Sequence, residues 1–84
     1  MLSPREWVNQ IRAKASVEPM ETDAVWKSLE RNIGIGDRTI ERVDAVLAYI
    51  DGELIAHRGD PIMSTLLNTV SDYKERVLEG IAGA

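Results

Sequence analysis

Apolar residues recur along this chain at intervals of three and four, the spacing that lines one face of a helix. Trp7, Val8, Ile11 and Ala15 form the first such stripe. Ser3, Pro4 and Glu6 stand ahead of it as a capping box with proline at the first helical position, and Leu2 is placed to staple onto Trp7. Together they predict a helix over residues 4–16. Glu18-Pro19 interrupts it, because the residue before a proline avoids helical geometry.

A second helix is expected to begin near Pro19 or Thr22, with Val25, Trp26, Leu29 and Ile33 on its apolar face and Gly34 as its terminator. Asp37 is positioned to cap a third, in which Ile40, Val43, Val46, Leu47 and Ile50 share a face. Asp51-Gly52 reads either as the turn of a hairpin or as the end of that helix, and the helical spacing upstream favours termination at Gly52. The fourth helix carries the strongest signals, Asp60 as N-cap and Pro61 behind it. Its apolar positions, from Ile62 and Met63 through Leu66, Leu67, Val70, Tyr73, Val77 and Leu78 to Ile81, sweep an arc of about 160° at about 100° per residue. Core packing accounts for most of such an arc. Its width on so small a scaffold marks Leu67, Leu78 and Ile81 as candidates for contact with a second copy or a protein partner. Gly80 to Ala84 reads as a fraying tail. The expected fold is all-α, a compact bundle of about four short helices forming one domain over residues 1–84.

Composition narrows the classes. The chain has 84 residues, 44% hydrophobic and 29% charged, so it is globular rather than disordered. A domain of this size buries roughly 60–65% of the surface its unfolded chain exposes, which makes self-association a reasonable aid to stability. With no cysteine, disulfides, thiolate nucleophiles and the usual structural zinc sites are all ruled out. Neither a leader-like apolar stretch nor a run of about 18 apolar residues occurs, and the expectation is a soluble, cytoplasmic protein without a membrane role. The net charge of −4 argues against a domain that coats nucleic acid and toward protein partners.

Chemistry is sparse. His57 is the single histidine and falls in an expected loop beside Arg58, where solvation is the simpler reading, and no serine sits in a nucleophile-elbow motif. Asp37, Glu41 and Asp44 follow the spacing of a solvated helix flank, and no calcium-loop pattern occurs, so neither metal nor cofactor is expected. Arg58-Gly59-Asp60 resembles an integrin-binding tripeptide only by coincidence, since Asp60 is needed as a cap. Trp7 and Trp26 lie within the apolar stripes of their helices, which assigns them to the core. The chain is therefore expected to be non-enzymatic.

One motif points elsewhere. Residues 33–43 read Ile-Gly-Ile-Gly-Asp-Arg-Thr-Ile-Glu-Arg-Val, in which Gly34, Ile35, Gly36, Arg38, Thr39 and Val43 match the helix-hairpin-helix pattern, while Ile40 stands where that pattern has alanine. With its flanking helices the stretch, residues 26–50, resembles that family. The resemblance implies binding to the nucleic-acid backbone without base reading, through Gly34, Gly36 and Arg38. Arg42 and Tyr49 fall within about 40° of Arg38 on the third helix and extend the stripe. A helix terminator at Gly34 and a tight turn at Gly36 explain both glycines structurally. The reading that follows is a small protein-interaction or assembly module, with non-sequence-specific nucleic-acid binding through residues 33–43 as the alternative.

Overall fold

Ser3 opens the first helix as its sequence requires. Its Oγ accepts from the Glu6 N–H at 3.2 Å while the Glu6 carboxylate accepts from the Ser3 N–H at 3.4 Å, so both orphan donors are satisfied reciprocally. The computed structural model describes residues 2–33 and 38–83, the last three of these by backbone alone. Four α-helices follow in order: α1 Pro4–Ala15, α2 Thr22–Ile33, α3 Thr39–Ala56 and α4 Pro61–Gly83. Among the described residues no strand occurs, and the chain is an all-α bundle of four helices. The expected caps at Gly34 and Asp37 lie outside the described residues.

The core takes Trp7, Val8 and Ile11 from α1, Val25, Leu29 and Ile33 from α2, Val43, Val46 and Ile50 from α3, and Met63, Leu66, Val70 and Tyr73 from α4. Each set keeps the three-and-four spacing of its stripe, so one face of each helix is spent on the same interior. Every helix touches the other three, and α3 with α4 forms the most extensive pairing. Lys74 Nζ meets Asp44 Oδ1 at 2.6 Å across that pair. At about 1.5 Å per residue the 23 residues of α4 reach about 35 Å, close to the 38 Å long axis of the molecule. The other three helices therefore pack along one continuous spine.

Two termini depart from expectation. α3 does not stop at Gly52: it runs one turn further to Ala56, with His57 as C-cap donating its N–H to the Glu53 carbonyl at 2.8 Å. Neither a hairpin nor a break forms there. The extra turn packs Leu54 against the core, and that burial outweighs the cost of about 1 kcal/mol for a helical glycine. Gly59 carries the sharp turn instead, with φ +86°. Asp60 then caps α4, its Oδ1 accepting from the Ile62 N–H at 3.0 Å while its Oδ2 pairs with Arg12 at 2.9 Å. The second departure is the tail, where α4 continues to Gly83 rather than fraying from Gly80.

The two glycines predict opposite outcomes. Gly52 is exposed and helical, and an added Cβ would meet nothing within 4 Å. Gly52→Ala should stabilise the fold by about 0.5–1 kcal/mol. Gly59→Ala forces an L side chain into the left-handed region and should cost about 1–2 kcal/mol. Urea unfolding midpoints of the two variants, moving in opposite directions, check both.

Candidate functional site

Two long-range hydrogen bonds from indole N–H groups set how α2 lies in the bundle. Trp7 is fully buried, and its Nε1 donates to Ser28 Oγ at 3.1 Å, joining α1 to α2. Trp26, on the opposite flank of α2 and only half-buried, donates from Nε1 to the Thr69 carbonyl at 3.2 Å, joining α2 to α4. Tyr73 meets the Trp26 ring edge-on at 6.1 Å, and the Arg76 guanidinium lies 5.0 Å from its centroid. One flank of α2 is thus covered by α4. The other, bearing Ala24, Lys27, Ser28 and Arg31, is left facing outward beside α1.

Between that flank and α1 runs an open groove with a volume of about 460 Å³, within the range of ligand-binding clefts. Ile11, Ala15, Met20, Ala24 and Val25 supply its apolar lining, and Gln10, Ser28 and Asn32 are polar groups toward one end. Lys14 stands on the α1 wall, Lys27 and Arg31 on the α2 wall, and Glu21 is the single carboxylate among the lining residues. Lys14 makes an exposed pair with Glu18 at 3.7 Å. Among the described residues neither Lys27 nor Arg31 has an ion-pair partner. Ala15 and Met20 also border a second hollow with Pro61, Ile62 and Thr65, which carries the apolar surface on to the start of α4.

Of the residues singled out from sequence, Arg38, Arg42, Leu67 and Leu78 do not line this groove. Gly34 and Gly36 lie outside the described residues. Arg38 is exposed at the start of α3. Arg42 is half-buried, and its Nη2 donates to the Leu2 carbonyl at 3.3 Å while its Nε is enclosed without a hydrogen-bond partner among the described residues. The Leu2 N–H in turn reaches the Asn32 carbonyl at 3.0 Å, so Arg42 helps tie the chain's first residues to α2 and α3. Leu67 packs against the core, and Leu78 is 44% exposed. Ile81 lies on α4, its side chain outside the description. The apolar arc of α4 is largely consumed within the bundle, through Met63, Leu66, Val70 and Tyr73.

His57 is exposed at the end of α3, 3.3 Å from the Glu53 carboxylate, an ion pair when the imidazole is protonated. Burial raises the Tyr49 phenol above its ordinary value, and hydrogen bonding to Glu53 and the negative charge of Glu53 raise it further. Among the described residues no group of three or more His, Asp or Glu side chains is arranged to hold a metal ion, and no helix is long and apolar enough to cross a membrane.

No protein family, curated protein or solved structure matches this chain. The groove was not legible as a site in the sequence. Its one local signal is the pair Lys27 and Arg31, like charges four residues apart on a single helix face, an arrangement that disfavours a helix by about 0.2–0.5 kcal/mol.

Ser28 connects the groove to the core. Ser28→Ala should cost about 1–3 kcal/mol, because it strands the buried Trp7 N–H. In a Trp7→Phe background the same change should cost clearly less, since the buried indole donor is gone and the remaining donor, the Asn32 amide, keeps its bond to the Ser28 carbonyl. A double-mutant cycle in urea measures the difference, and additivity would show that the bond carries no stability.

Proposed function

We propose that this chain is a non-enzymatic interaction module that docks a protein partner in the groove between α1 and α2. The observation that carries the reading is the groove itself, a cleft of mixed apolar and polar lining bordered by Lys27 and Arg31, cations without ion-pair partners among the described residues. A cleft that pairs apolar surface with a charged rim is what helix-in-groove recognition uses.

Nucleic-acid binding through residues 33–43 is the second reading, favoured by one observation, the exposed Arg38 at the start of α3. Arg42 contributes less than its sequence position promises, since one of its nitrogens is engaged by the Leu2 carbonyl.

Site-specific photo-cross-linking tests the first reading. A photo-reactive residue at Ala24, on the groove wall, should give a discrete protein adduct in cells of the protein's source. The same residue at Ala48, exposed on α3 away from the groove, should not. Identical adducts from both positions would remove the groove from the reading. Titration with short duplex and single-stranded DNA tests the second. The expected result is no binding at moderate salt. Binding that weakens steeply with salt, with a slope flattened by roughly 1–2 units in Arg38→Ala/Arg42→Ala, would instead establish the phosphate-binding role.

A further inference from the structure

The groove has a charge pattern that the fold does not need. Three of the chain's ten Lys and Arg residues line it against one of its fourteen Asp and Glu residues, an excess of two positive charges among the lining side chains of a chain whose net charge is −4. Lys27 and Arg31 repel each other one turn apart on α2. Neither is relieved by an ion pair among the described residues. Lys14 faces them from α1, and its exposed pair with Glu18 at 3.7 Å is weak enough to exchange. Cations therefore stand on both walls, with Ile11, Ala15, Met20, Ala24 and Val25 between them.

We infer that the occupant is an acidic amphipathic helix of a partner protein, with carboxylates on both sides of its apolar stripe. This deepens the docking role proposed above and rests on it. The apolar stripe covers the floor, while carboxylates on one side reach Lys14 and those on the other reach Lys27 and Arg31. The α2 wall, from Glu21 to Asn32, is about 17 Å long, the length of about eleven helical residues. Three turns of helix laid along the groove thus match the length of that wall, and the second hollow beside Pro61 and Ile62 continues the apolar surface at the end nearer α4. Since the rim charges are solvated, attraction acts mainly on selectivity and encounter and weakens with salt.

The test uses the full chain, isotope-labelled, and two synthetic helical peptides with the same leucine stripe, one flanked by glutamates and one by lysines. Amide NMR shifts are followed to millimolar peptide at low and moderate salt. The glutamate peptide should shift the amides of Lys14, Ala24, Lys27 and Arg31, and bind at least tenfold more tightly than the lysine peptide at low salt. Lys27→Glu/Arg31→Glu, two exposed positions whose folding is checked by circular dichroism, should reverse that preference. Equal binding of both peptides in the groove overturns the acidic partner and leaves the docking role standing. Absence of shifts in the groove with either peptide overturns both. A single-stranded oligonucleotide that shifts the same amides at lower concentration than the glutamate peptide reassigns the rim to phosphate and overturns the proposal.

Discussion

A buried indole N–H has to find an acceptor, and in this bundle that requirement determines where α2 lies. Trp7 is too large to be left in solvent and too polar at one atom to be buried alone, so its Nε1 takes Ser28 Oγ across 21 residues of sequence. The same hydroxyl accepts from Asn32 Nδ2 at 3.1 Å, and the Asn32 amide also donates to the Ser28 carbonyl at 3.0 Å. The Asn32 backbone carbonyl receives the Leu2 N–H. One hydroxyl and one amide thus align the first turn of α1 with the last turns of α2. Trp26 repeats the arrangement on the opposite flank, with the Thr69 carbonyl as acceptor.

The consequence is asymmetric. The flank of α2 that holds Trp26 is covered by Tyr73 and Arg76 of α4, whereas the flank that holds Ser28 meets α1 only along its inner edge. Beyond that edge the two helices leave a cleft whose lining is partly core and partly charged surface. Residues that stabilise the interior and residues that face the groove alternate along the same turns. Ile11 and Val25 belong to both sets, being buried and lining the groove. Any partner seated there rests directly on the core, so its docking stabilises the bundle by mass action.

Much of the fold was legible because its signals are local. Ser3 with Glu6, and Asp60 with Pro61, act within one turn of chain, and both caps form where the sequence places them. The four apolar stripes predicted the buried faces for the same reason, since helical periodicity alone brings i, i+3 and i+4 together. Trp7 followed its stripe fully inward. Trp26 stayed half-exposed, because its ring belongs to the seam between α2 and α4 rather than to the centre.

Tertiary structure decided what depends on partners far along the chain. Gly52 looked like a terminator by propensity, but the turn beyond it carries Leu54, and burial of that side chain exceeds the local cost of a glycine. Arg42 shared a helix face with Arg38, yet only the docking of residue 2 against α3 shows that its guanidinium serves the Leu2 carbonyl. The groove was least legible of all, being made of two flanks that are each ordinary solvent-facing positions until α1 and α2 are set side by side. A sequence records which residues share a helix face. Which faces are left uncovered follows from the packing of all four helices, because the area available to bury them is a property of the assembled bundle and not of any one segment.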